Sequence, residues 1–335
     1  MDPAQLVSAL PAQRHVLITG GTGFVGAALV AALHAGGHRI TVLTRNLSHA
    51  AALPDAVNLV TSLDAIADDS RIDAVINLAG EPIAAGLWTN ARRARIIASR
   101  VDVSRACVAL IARLQTKPAA FISGSAIGWY GLNDGEKLDE ASQGKDCFSR
   151  QICLAWEAAA AGAPCRTVLL RIGLVLGPKG GLLARMLPPF RLGLGGPFGR
   201  GENWMSWIHR DDLIRLIAHA ITDPTLSGPV NGTAPHPVTG YNFAKALGRA
   251  IKRPVFLSVP AAPLRLVLGD FANELLLGGQ RVLPAKAEHS GFFSPIPILI
   301  RPWQRCWLNG QMLEPQGASR FQFLCSRHLP LRPPT

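Results

Sequence analysis

Tyrosine is the scarcest residue in this chain: only Tyr130 and Tyr241 occur in 335 residues. Chemistry that relies on a phenol as proton donor therefore has two candidates. Cysteine is also sparse, and its six copies form no Cys-x-x-Cys pair and no Cys/His ligand spacing. That excludes a disulfide-stapled scaffold and a zinc site, and no metal is expected. No apolar run reaches ~18 residues without a charge or a Gly/Pro break, which excludes a spanning helix. The start, Met1-Asp2-Pro3-Ala4-Gln5, lacks the basic and apolar regions of a secretory leader. We expect a soluble, cytoplasmic protein with no membrane partner.

Charged residues make up only 17% of the chain and the AVILMFWYC set 48%, so disorder is excluded for most of it. The net charge is +12, of which Arg301, Arg305, Arg320, Arg327 and Arg332 against Glu314 supply +4. The other dense group is Arg92, Arg93, Arg95, Arg100 and Arg105, with no aromatics between them. A solvated helix face is the expected reading there, and no nucleic-acid partner is expected.

What is present is an alternation of apolar runs with helix-forming stretches. His15 to Thr19 reads as a strand, Gly20 to Gly26 as a glycine turn, and Ala27 to Ala35 as a helix. Further strands are expected at 39–43, 58–60, 74–77, 119–123 and 167–170, with helices at about 89–114 and 148–161. The fold class is α/β: a doubly wound, parallel, Rossmann-like sheet with a smaller C-terminal substrate region. We expect an N-terminal extension at 1–14, a dinucleotide-binding domain at 15–172, and a substrate-side region at 173–253 interleaved with the core. A small C-terminal element at 254–297, with one helical run from Pro263 to Leu277, and an irregular tail at 298–335 complete the chain.

A glycine turn after the first strand lets backbone N–H groups approach a pyrophosphate at a helix N-terminus. Gly20, Gly23 and Gly26 serve the turn, the close approach and the strand–helix packing, and Phe24 and Val25 between them are expected at the cofactor. The second strand ends Leu43-Thr44-Arg45-Asn46. No carboxylate stands there to accept from a ribose hydroxyl, whereas Arg45, beside Thr44, is suited to a 2′-phosphate, so the expected cofactor is NADP(H).

With Thr19–Gly26, Asn77-Leu78-Ala79-Gly80 and Ser123–Gly131, the chain resembles the extended short-chain dehydrogenase/reductase superfamily. Trp88-Thr89, Trp156-Glu157, Trp207–Asp211 and Gln280–Pro284 narrow the resemblance to the "epimerase family" subgroup over roughly residues 15 to 295. Beyond Ser294 the composition departs from that pattern. The resemblance implies that Leu78, Ala79 and Gly80 pack on the adenosine side and that the segment Arg171 to Val175 meets the nicotinamide carboxamide. Arg95 and Arg100 are placed to bond ribose or phosphate oxygens.

The superfamily also implies a Ser–Tyr–Lys set in which a phenol exchanges the proton. Ser125 matches the Ser, but the Tyr and Lys positions carry Ser149 and Cys153. Tyr130, five residues past Ser125, is the expected substitute. Tyr241 with Lys245 fits Tyr-x-x-x-Lys literally but is expected away from the nicotinamide. His209 is expected to be structural. The implied function is NADP(H)-dependent redox or epimerase chemistry on a small molecule, with a cofactor-binding regulator as the alternative. The oligomeric state is left open.

Overall fold

The structure, a computed structural model, describes residues 2–133, 135–178 and 180–296; the expected tail at 298–335 lies outside the described residues. Seven strands form the main sheet: β1 (His15–Thr19), β2 (Arg39–Leu43), β3 (Asn58–Val60), β4 (Ala74–Asn77), β5 (Ala120–Ala126), β6 (Thr167–Ile172) and β7 (Gly228–Gly232). Their order is β7-β6-β5-β4-β1-β2-β3, with every pairing parallel. Six larger helices accompany them: α1 (Phe24–Ala35), α2 (Asn90–Arg113), α3 (Phe148–Ala160), α4 (Gly181–Arg191), α5 (Arg210–Thr222) and α6 (Gly240–Ala250).

Both faces of the sheet are covered, which is why its strands read as apolar runs and not as alternating ones. On one face Leu17, Val75 and Phe121 pack against Cys107, Leu110 and Ile111 of α2. On the other, Val16, Ile18 and Ile122 meet Leu33 of α1 and Leu213 and Ile217 of α5. Each such side chain, fully buried, stabilises the fold by roughly 1.5–3 kcal/mol. After residue 172, β7 pairs with β6 and α5 packs on the sheet, so both belong to the Rossmann-like core.

The C-terminal element is tied to the core by its Gln280-Arg281-Val282 segment. Arg281 and Val282 pair with Lys137 and Leu138 in a short parallel ladder. Gln280 Nε2 donates to the Gly131 carbonyl at 2.7 Å, and Ser206 Oγ donates to the Gln280 carbonyl at 2.8 Å. The expected single helix from Pro263 to Leu277 is corrected: α7 (Ala261–Leu268) ends at Gly269, whose φ of +53° breaks the helix before Asp270. Strand order reverses at β1, between β2 and β4, so the crevice at their carboxyl ends is where an open α/β sheet takes its ligand.

Candidate active site

The turn between β1 and α1 requires glycine at two positions, Gly20 and Gly26. Gly20 has φ +73°, and a Cβ there would stand 2.7 Å from the Leu78 carbonyl. A Cβ on Gly26 would stand 2.1 Å from the Gly20 oxygen. Gly23 is the N-cap of α1 and has no side-chain capping bond, so the first-turn N–H groups face the crevice uncapped by protein side chains. Phe24 and Val25 open the helix; Val25 packs on the core, and the Phe24 ring lies under Gly180, where a Cβ would be 2.3 Å away. Val175, in a short strand paired with Trp207–His209, underlies the same loop through its carbonyl, 2.9 Å from a Cβ on Gly181.

Asn77 locks the opposite wall. Its Oδ1 accepts from Thr19 Oγ1 at 2.6 Å and from Ala79 N at 3.3 Å, and its Nδ2 donates to Ser104 of α2 at 2.9 Å. Leu78, Ala79 and Gly80 are thereby held against the glycine turn. At the end of β2, Thr44 is buried and its hydroxyl donates to the Asn46 carbonyl, while Arg45 is exposed and forms no ion pair among the described residues.

The arginine cluster of α2 divides in two. Arg92 and Arg93 are tied to Glu81 and Asp270 at 2.9 and 2.8 Å, and Arg95 is exposed, 4.0 Å from Glu81. Arg100 turns inward instead: it lies against Gly80, its guanidinium is 5.0 Å from the Trp156 ring, and burial lowers its pKa.

Next to this crevice is a cavity of about 290 Å³ at the carboxyl ends of β5 and β6, walled by Ala126, Ile127, Ile172 and Gly173. Ser149 and Cys153 of α3, the Tyr and Lys positions of the superfamily, both line it, as does Arg100. The Ser149 hydroxyl donates to Glu274 Oε2 at 2.6 Å. The same carboxylate accepts from Phe148 N and Ser149 N at 3.1 and 2.8 Å, so it caps α3 from the C-terminal element. Cys153 gives its thiol to the Ala126 carbonyl at 3.5 Å, and burial pushes its pKa up to about 12. At neutral pH it carries no charge and supplies none of the positive field a lysine would.

Ser125 and Tyr130 are brought together by one buried network, with Ser125 next to the Cys153 thiol of the cavity wall. Ser125 Oγ donates to Glu157 Oε1 at 2.7 Å; Tyr130 OH donates to Asn231 Oδ1 at 2.8 Å and accepts from Arg171 at 3.2 Å. Arg171 and Glu157 join the two halves of this network. Tyr130 is fully buried, and burial raises its pKa above the ordinary phenol value despite the adjacent guanidinium. Neither residue is among those that wall the cavity, and both hydroxyls are engaged by buried partners, Glu157 and Asn231.

His209 caps α5 by accepting from Asp211 N at 3.2 Å, and burial lowers its pKa. Tyr241 is exposed on α6, and Lys245 Nζ sits 4.4 Å over its ring.

Comparison with known proteins agrees with this geometry. The model of the NAD dependent epimerase/dehydratase family matches residues 16–233, and a domain of unknown function, DUF1731, matches 259–293. The chain belongs to the NAD dependent epimerase/dehydratase family. It is 40% identical over 292 residues to the chloroplastic SDR39U1 homolog of Arabidopsis thaliana, covering 84% of this chain and 83% of that protein. It is 38% identical over 293 residues to the epimerase family protein SDR39U1 of Bos taurus, covering 85% and 96%. Human SDR39U1 isoform 2, crystallised with NADPH, superimposes with TM-score 0.79 and 33% identity over 87% of this chain and 98% of that one. A nucleoside-diphosphate sugar epimerase of Corynebacterium glutamicum gives TM-score 0.67 and 31% identity, covering 89% and 59%.

Within this family member, Glu274 is the functional candidate that sequence reasoning missed. It lies over a hundred residues from Ser149, in a stretch whose pattern reads as helix packing, and no local motif marks it. Among the described residues no His/Cys/Asp/Glu group is placed to hold a metal, and no helix is long and apolar enough to cross a membrane.

Proposed function

We propose that this chain binds NADP(H) in the β1/β4 crevice and uses it for redox or epimerase-type chemistry on a small molecule held in the adjoining cavity. The observation that carries the reading is continuity. Arg100 touches both Gly80 at the crevice and the cavity wall, so a dinucleotide laid across the crevice ends where the cavity begins. The relative crystallised with NADPH supports the cofactor assignment.

The residues fit the cofactor. The uncapped N-terminus of α1 and the Gly20–Gly26 turn receive the pyrophosphate, and Arg45 with Thr44 faces the 2′-phosphate. Leu78, Ala79 and Gly80 take the adenosine side, Arg100 a ribose or phosphate oxygen, and Val175 and Phe24 the nicotinamide end. Arg95 reaches the phosphates only by leaving Glu81. The bound nicotinamide supplies hydride transfer. Ser149 and Glu274 are then the protein groups that hold a proton at the substrate oxygen, while Ser125 and Tyr130 act behind the wall by fixing its position.

Calorimetric titration tests the reading: NADPH should bind clearly more tightly than NADH, and equal affinities would remove it. The replacement of the usual Tyr and Lys by Ser149 and Cys153 favours a second reading, a cofactor-binding regulator with little turnover. NADPH oxidation assayed across alcohols, ketones, aldehydes and nucleotide sugars separates the two. Binding without turnover on any of them selects the regulator.

A further inference from the structure

We infer that the cavity is built for an uncharged, mostly apolar alcohol and that it excludes nucleotide sugars. The inference rests on the reading of this cavity as the substrate site.

Three observations carry it. First, the cavity wall is dominated by hydrocarbon: Ile127, Ile152, Leu174, Met186, Phe198 and Leu276 all line it. At about 290 Å³ it sits at the small end of ligand sites, which run from roughly 300 to 1,000 Å³. A sugar ring, which needs a hydrogen-bond partner for each hydroxyl, would leave most of them unpaired here, at a cost for each buried group.

Second, the charged groups of the lining balance. Glu274 and Arg100 both line it, one carboxylate and one guanidinium, so neither an anion nor a cation is favoured overall. The Ser149 hydroxyl donates its hydrogen bond to Glu274. What it and the carboxylate offer a ligand is acceptor capacity, which suits an O–H donor.

Third, the cavity adjoins a wide outer cleft of about 820 Å³, which shares Glu274, Asn203 and Trp204 with it and would receive a diphosphate extending from a sugar in the cavity. That cleft presents Asp146, Glu202, Asp270 and Glu274 against Arg93 and Arg265. Arg93 is already engaged by Asp270 at 2.8 Å and by the Phe148 ring at 4.5 Å. A nucleoside diphosphate would lay its negative charges along a surface with an excess of carboxylates, whereas an uncharged ligand meets no such field.

The test uses the full chain loaded with NADP⁺, titrated with 2-octanol, octanoate and UDP-glucose, with binding read by calorimetry and by quenching of tryptophan fluorescence. We expect 2-octanol to bind at least tenfold more tightly than octanoate, and UDP-glucose to bind more weakly than either. Glu274→Gln should reduce the 2-octanol to octanoate preference about tenfold by removing the negative charge. Leu276→Trp, which fills the cavity, should abolish 2-octanol binding. UDP-glucose binding as tightly as 2-octanol, octanoate matching it, or 2-octanol binding that survives Leu276→Trp would each overturn the inference. If NADP⁺ itself fails to bind, the cofactor reading falls, and the same three probes on the unloaded chain still decide the character of the cavity.

Discussion

Arg171 and Glu157 form a two-point ion pair inside the protein, with Nε 2.9 Å from Oε1 and Nη2 3.0 Å from Oε2. The pair joins β6 to α3, and the Trp129 ring lies 3.6 Å from the guanidinium carbon on the side next to Tyr130. Ser125 reaches it from β5 and Tyr130 from the loop beyond, and Tyr130 passes the chain of bonds on to Asn231 of β7. Asn231 in turn donates to the Leu283 carbonyl at 2.9 Å, so the network ends in the C-terminal element that also brings Glu274 to the cavity. Six segments, β5, β6, β7, α3, the Tyr130 loop and the C-terminal element, are thereby joined by one buried polar cluster.

Removing one partner from such a pair strands the other. Glu157→Ala leaves Arg171 buried and unpaired, and should destabilise the chain by about 3–5 kcal/mol. Tyr130→Phe removes only a neutral hydroxyl between two partners and should cost about 1–3 kcal/mol. Urea unfolding checks both, and a loss below ~1 kcal/mol for Glu157→Ala would show that the network does not support the fold.

The glycine turn makes a graded prediction. An added Cβ would meet the Gly20 oxygen at 2.1 Å from Gly26 but at 3.2 Å from Gly23. Backbone cannot yield 1 Å there without lifting α1 from β1. Gly26→Ala should therefore lower the thermal midpoint and weaken NADPH binding at least tenfold, with Gly23→Ala milder on both measures. The reverse ranking would mean that the turn relaxes by a route the packing does not offer.

The central sheet was legible because its strands are buried on both faces, so each stands out as an apolar run beside a helix. β7 was not, since Gly228-Pro229-Val230-Asn231-Gly232 contains a single strong strand former and is placed by pairing with β6. The glycine turn was legible because backbone geometry demands particular residues at fixed spacing. The partners of Ser125 and Tyr130 were not: both follow a strand that points to the site, but which way each hydroxyl faces depends on Glu157, Arg171 and Asn231, distant in sequence. Glu274 belongs to the same class of long-range contact.

Cofactor preference turns on Arg45. A charge-assisted bond to a 2′-phosphate is worth roughly 1.5–3 kcal/mol, so Arg45→Asp should weaken NADPH binding by about tenfold or more. NADH, lacking that phosphate, should not be weakened. Calorimetry on both proteins reads the difference, and an unchanged NADPH affinity would place the phosphate elsewhere.

Acid sensitivity follows from the histidines. Burial lowers the pKa of His209, and also of His15 and His38. In the unfolded chain these groups bind protons near the ordinary value of ~6.5, while in the folded chain they bind only at lower pH. Below ~6.5 the unfolded state therefore holds more protons. The stability is fully present above ~6.5 and is lost as pH falls towards the lowered folded values, by at most about 1.4 kcal/mol per pH unit for each group. His209→Asn keeps an acceptor for Asp211 N at the start of α5 and removes one titrating group. Urea midpoints measured from pH 7 to 5 should fall for the native protein and fall less steeply for the variant. Parallel slopes would mean that His209 takes up a proton as readily inside the fold as outside it.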